Sequence, residues 1–228
     1  MTVALVPGIG CAPWQFGRIA PGFAPERVLA LDLPGHGAEA AVAPVTLETV
    51  ADRLAERVPA GSVLVGHSTG GVAGLVLAAR HPGLLRRLVL LDANLPVTPE
   101  AVAHKASRAE AVLRPDWRRT LEESMRSSWG AHDPALGERV VAGILATDPD
   151  AVRPLWHAVL ALDPRPLLAG LTVPTLHVRS SRDVDPTVLR GLNPLVDAVD
   201  LGDLGAGHWP HLTVPEAVLT AVEPWLRR

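Results

Sequence analysis

At 228 residues the chain is long enough for one α/β domain with an insertion, and 48% hydrophobic against 20% charged residues excludes an intrinsically disordered segment. A net charge of −3, with basic residues grouped only in pairs such as Arg86-Arg87, Arg118-Arg119 and Arg227-Arg228, argues against a nucleic-acid partner. The single cysteine, Cys11, allows no internal disulfide, no signal-like leader is evident, and the mostly apolar stretch 70–79 falls well short of the roughly 20 residues of a membrane span, so a cytoplasmic protein off the membrane is expected.

In chain order, short apolar runs alternate with helical patterns. Strands are expected at Val3–Val6, Val28–Leu31, Val63–Val65, Leu88–Leu91, Thr175–Val178 and Ala198–Leu201, and helices at Leu47–Arg57, Gly71–Arg80, Pro186–Leu192 and Pro215–Leu226. The strands read as continuous apolar runs, as in a parallel sheet buried on both faces. The alternation predicts a doubly wound α/β fold with a mostly parallel six-stranded sheet. From Asn94 to about Pro166 no strand pattern appears, and prolines at 99, 115, 134, 149, 154 and 164 divide the stretch into short helices. About 70 residues exceed a simple crossover, so 94–166 is expected to be a helical cap inserted into a core of 1–93 and 167–228.

Gly66-His67-Ser68-Thr69-Gly70 matches G-x-S-x-G, with the apolar run Val63–Val65 just before it and a helical pattern just after. A strained strand-to-helix turn of this kind holds a serine hydroxyl at the carboxyl edge of a sheet, and the flanking glycines permit the close approach. Ser68 needs a general base, and the base an orienting acid, in the chain order Ser, acid, His. The base is expected to be His208, which follows Gly205-Ala206-Gly207; His211 is expected to pack or cap. Asp183 is the first choice of acid, with Asp185 its neighbour and Asp92 a third candidate; Asp185 also suits a cap for the helix beginning near Pro186. Backbone N–H groups of Thr69 and of Ile9, in the Gly-rich loop 7–11, are expected to form an oxyanion hole. Trp129, Trp156 and Trp209 are expected to line an apolar substrate pocket. The nine histidines show no metal-binding spacing, so no metal is expected, and Cys11 reads as a packed residue.

Together these segments resemble the α/β-hydrolase superfamily: Leu5-Val6-Pro7-Gly8-Ile9-Gly10 is similar to its oxyanion strand and loop, Asp32-Leu33-Pro34-Gly35-His36-Gly37 to its D-x-P-G-x-G loop, and Leu88–Asp92 to the strand before the cap. The nucleophile elbow at Ser68 and the histidine loop Gly207–His211 complete the resemblance, which covers nearly the whole chain. Pro7 stands where a histidine is usual, which removes a brace of the oxyanion loop, and the chain resembles compact members lacking an N-terminal hairpin. The resemblance implies a serine hydrolase without organic cofactor, cleaving a small to medium apolar carboxylic ester or lactone through an acyl-enzyme. Other members of the superfamily use the same Ser/His pair as acid and base in lyases, C–C hydrolases, cyclases and cofactor-free oxygenases, or serve as ligand-binding receptors. The excess of arginine, with Lys105 the one lysine, points to a GC-rich bacterial genome.

Overall fold

A computed structural model describes residues 1–130, 132–182 and 184–227. In chain order the main elements are β1 (Thr2–Val6), β2 (Arg27–Ala30), α1 (Leu47–Arg57), β3 (Ser62–His67), α2 (Thr69–Arg80), β4 (Leu85–Leu91), α3 (Pro99–Val112), α4 (Trp117–Ser127), α5 (Pro134–Ala146), α6 (Pro149–Ala161), α7 (Arg165–Ala169), β5 (Thr175–Arg179), α8 (Pro186–Leu192), β6 (Val196–Asp200), α9 (Pro210–Thr213) and α10 (Pro215–Arg227). Among the described residues the strands form one sheet in the order β2-β1-β3-β4-β5-β6, every neighbouring pair parallel.

The apolar strands are buried because both faces are covered. Val3, Leu5, Val63, Val65, Val89 and Leu91 pack with Phe16, Val218, Val222 and Trp225 on one face. Their alternate neighbours Ala4, Val6, Leu64, Leu88 and Leu90 pack with Val50, Leu54, Val72 and Leu75 of α1 and α2 on the other. Period-two alternation thus fills two cores from one set of strands.

Every strand but β5 begins earlier than its apolar run suggests, β1, β2 and β3 by one residue, β6 by two and β4 by three. β6 starts at Val196 rather than Ala198, pairing Thr175 with Val196 and Arg179 with Asp200. It is an edge strand, so Asp197 and Asp200 can sit in it and still reach solvent and the arginines Arg190 and Arg179. β2, the other edge, starts at Arg27. Asp185 does cap α8, its side chain accepting the Thr187 N–H at 2.7 Å.

Between β4 and β5 lie α3 to α7, in the stretch where proline punctuation predicts short helices. Prolines open α3, α5 and α6 at their first turn, where the missing N–H costs nothing. Loops at the carboxyl ends of β1, β3, β4, β5 and β6 carry Ile9, Ser68, Asp92, Arg182 and His208, so the parallel sheet itself gathers these residues at one edge. No described helix is long and apolar enough to cross a membrane.

Candidate active site

Ser68 sits between β3 and α2 with φ 51° and ψ −116°, a backbone conformation that costs energy in a non-glycine residue. The turn survives because its flanks are glycine. A Cβ on Gly66 would lie 2.5 Å from the Gly70 carbonyl oxygen, and one on Gly70 would lie 2.3 Å from the Val6 carbonyl oxygen. Both neighbours are backbone, so neither position has room for a side chain.

The Ser68 Oγ lies 2.8 Å from His208 Nε2, and His208 Nδ1 lies 2.6 Å from Asp92 Oδ2. A carboxylate only accepts, so the imidazole proton is on Nδ1 and Nε2 is free to accept from the serine hydroxyl. The structure therefore brings Ser68 and His208 together as the motifs predict. The carboxylate that meets His208 is Asp92, the third of the candidate acids. Asp183 lies outside the described residues, and the single Nδ1 hydrogen of His208 is taken by Asp92, the residue after β4. Asp185 is committed to its helix cap.

Asp92 is fully buried and held from several sides. Its Oδ1 accepts from the backbone N–H groups of Ser180 and Ser181, both at 2.8 Å, and of Arg182 at 3.3 Å. Its Oδ2 accepts from the Ser181 hydroxyl as well as from His208. Burial pushes the carboxyl up, but the His208 hydrogen bond, the charges of His208 and Arg182 and the Ser181 bond together outweigh it and hold Asp92 well below the usual carboxylate range. Burial, and after it the Arg182 guanidinium, pushes His208 down, partly opposed by Asp92. The imidazole is therefore neutral at neutral pH, the form that can accept a proton.

The histidine loop is tied down by groups that motif reading did not single out. His67, the variable residue of the elbow, donates from Nε2 to the His208 carbonyl at 2.7 Å. The His208 N–H donates to the Ser128 carbonyl at 2.7 Å. Gly207, at φ 65°, makes this contact possible, because a Cβ there would meet the Trp129 carbonyl at 2.2 Å. His211 is buried and stacked on Phe16, with ring centroids 4.9 Å apart.

The loop after β1 lies against the nucleophile, and a Cβ on Gly8 would be 3.2 Å from that of Ser68. Pro7 supplies no brace here, but His36 does. His36 Nδ1 donates to the Pro34 carbonyl at 2.9 Å, and its Nε2 accepts the Gly10 N–H at 2.9 Å. The signal was present in the D-x-P-G-x-G loop, where His36 is the variable residue.

A cavity of about 30 Å³ is lined by Ser68, His208, Ile9, Thr69 and Trp156, with Met125, Val159 and Leu160 from α4 and α6. Of the three tryptophans expected to line a pocket, only Trp156 reaches this cavity. Trp129 instead donates from its indole to the carbonyls of His132 and Asp133, and packs over Gly137. Trp209 is 1% exposed and packs among Trp129, His67 and His208. Both support the histidine loop. Cys11 is buried, and burial pushes its thiol up to about 11, which leaves it protonated and inert. A larger cleft of about 390 Å³ opens near Met1, Phe23 and Arg86, at the amino ends of the strands and away from Ser68.

Residues 3–221 match the family model described as the alpha/beta hydrolase family. The chain belongs to the alpha/beta hydrolase family. It is 30% identical over 228 aligned positions to a pimeloyl-[acyl-carrier protein] methyl ester esterase of Chromobacterium violaceum, covering 95% of this chain and 83% of that one. It is 28% identical to the biotin biosynthesis bifunctional protein BioHC of Teredinibacter turnerae, of whose length the match spans 40%. Among solved structures it is similar to a thermophilic esterase from Thermogutta terrifontis, with 25% identity, a TM-score of 0.77, and 100% of this chain and 89% of that chain covered. Within its family this hydrolase is a carboxylic ester hydrolase.

Proposed function

We propose that the chain hydrolyses a small to medium carboxylic ester or lactone through a Ser68–His208–Asp92 triad and an acyl-enzyme. The observation that carries this reading is the continuous hydrogen-bonded line from Ser68 Oγ through His208 to Asp92, at 2.8 and 2.6 Å. In this mechanism Ser68 Oγ attacks the ester carbonyl while its proton passes to His208 Nε2. Asp92 holds the Nδ1 hydrogen and stabilises the imidazolium that forms. The N–H groups of Ile9 and Thr69 receive the charge developing on the carbonyl oxygen, each such donor being worth about 3 kcal/mol in the transition state. Collapse expels the alcohol, which takes the proton from His208. Water, deprotonated by the same imidazole, then attacks the acyl-enzyme and releases the acid and Ser68.

Residues 94–166 act as the cap that selects the substrate, because Met125, Trp156, Val159 and Leu160 give the cavity its apolar wall. The single buried cysteine suits a reducing compartment, the cytoplasm. The deciding measurement is intact-mass analysis after treatment with a fluorophosphonate. One adduct is expected on the wild type and none on Ser68→Ala. A wild type that is folded and stays unlabelled would overturn the acyl-enzyme reading.

A further inference from the structure

The small cavity at Ser68 adjoins a second one of about 160 Å³, lined by Pro96, Ala101, His104, Lys105 and Val184. Asn94, Arg108 and Arg182 line both cavities. The two cavities are therefore one path, with two guanidinium groups at the junction and an ammonium group further along. Among the described residues no carboxylate lines either cavity.

Among the described residues, Arg182 alone of these cations has a carboxylate within ion-pair distance. Arg182 is a quarter exposed, and among the described residues its ion-pair partner is Asp92, 3.7 Å from its Nε. Asp92 is already saturated by the loop N–H groups, Ser181 and His208, and among the described residues the Arg182 Nε donates to no acceptor. The Arg182 Nη2 approaches His208 Nδ1 at 3.4 Å, where the imidazole has a hydrogen and not a lone pair to offer. Arg108 donates to the Ser124 hydroxyl at 3.2 Å and has no ion pair among the described residues. Lys105 donates to the Leu162 carbonyl at 2.9 Å, and burial pushes its ammonium down to about 8, with Asp163 opposing and Arg182 adding to the fall. Arg108 likewise disfavours the charge on Arg182. Like charges converge here without an anion between them among the described residues, an arrangement that costs free energy until one binds.

We propose that the path is an anion subsite of the esterase, and that the substrate is an ester carrying a free carboxylate on its acyl chain. The ester end lies at Ser68, the apolar middle passes Trp156, Val159 and Leu160, and the carboxylate sits between Arg108 and Arg182 with Lys105 beyond. Arginine suits this task because its planar fork pairs a carboxylate with two parallel hydrogen bonds. This inference rests on the proposed ester hydrolysis for its chemistry, but the subsite can be read by binding alone.

The test compares kcat/KM for the monomethyl esters of glutarate and adipate with that for methyl esters of monocarboxylic acids of matching length. The wild type is expected to prefer the charged esters by about 10-fold or more. Arg108→Gln is expected to lose about 10-fold of that preference, Arg108→Lys to retain part of it, and salt at about 0.5 M to weaken it. Arg108 is exposed, so these variants are expected to fold. Equal rates on charged and neutral esters, or a preference untouched by Arg108→Gln, would overturn the proposal. If Ser68 takes no fluorophosphonate the hydrolytic reading fails separately, and calorimetry with adipate then decides the subsite. Binding weakened by Arg108→Gln supports it, and binding that is absent or indifferent to Arg108→Gln overturns it.

Discussion

Five donors converge on the two oxygens of Asp92, which is why a carboxylate can stay ionised while fully buried. Three of those donors are backbone N–H groups of the loop after β5, where motif order suggested the acid itself would lie. That loop supplies a nest of hydrogen-bond donors for the acid. Asp92→Asn presents a competing amide to His208 and favours the wrong tautomer, so kcat/KM is expected to fall by about 10³–10⁴-fold with the fold intact. Asp183→Asn is expected to keep most of its activity, because the one Nδ1 hydrogen of His208 is already engaged. The two variants assayed side by side, with circular dichroism to check folding, decide between these carboxylates; a larger loss in Asp183→Asn would reverse the assignment. Ser68, His208 and the Gly-rich loop were legible because their local chemistry is specific. Asp92 was ranked third because an aspartate at a strand end has no local signature, and its partners lie 88 to 116 residues away.

At the scale of elements, the elbow depends on β1, β3 and α2 approaching more closely than side chains allow. Gly70→Ala would set a Cβ 2.3 Å from the Val6 carbonyl oxygen, with the backbones of α2 and β1 directly opposed. A loss of about 3 kcal/mol is expected, measured by urea unfolding. Gly143→Ala is the contrasting substitution. That glycine is exposed in α5 with nothing within 4 Å of a Cβ, so alanine is expected to stabilise by about 0.5–1 kcal/mol. Equal effects from the two would contradict the close-approach account. The central strands and α1, α2, α8 and α10 were legible because apolar runs and capping residues are local signals. The strand starts moved most where charged residues lie near them, Arg86 and Arg87 in β4 and Asp197 in β6, because such residues hide the apolar pattern. Trp129 and Trp209 pack against the histidine loop and do not line the cavity at Ser68, since a large aromatic serves packing and lining equally well.

Across the whole molecule, His36, His67, His177, His208 and His211 are buried with their pKa values lowered, burial being the main cause for each. His177 falls to about 4 and His211 to about 3. A depressed histidine binds its proton more readily in the unfolded chain, so stability is full above about pH 6.5 and drains as pH falls through the folded values. The urea midpoint is therefore expected to decline steeply between about pH 6.5 and 4, before most carboxylates titrate. A midpoint constant across that window would contradict the burial of these rings as neutral groups. What the sequence determined by itself is whatever short-range chemistry specifies: the alternating strands and helices, the glycine-flanked serine turn, the histidine in its loop, and the proline-divided insertion. The tertiary structure alone decided which carboxylate meets His208, that His36 rather than a residue at position 7 braces the oxyanion loop, and that Arg108, Arg182 and Lys105 face one path. These are contacts between distant segments, and their partners are set by how the parallel sheet gathers its loops at one edge, which no local pattern of residues encodes.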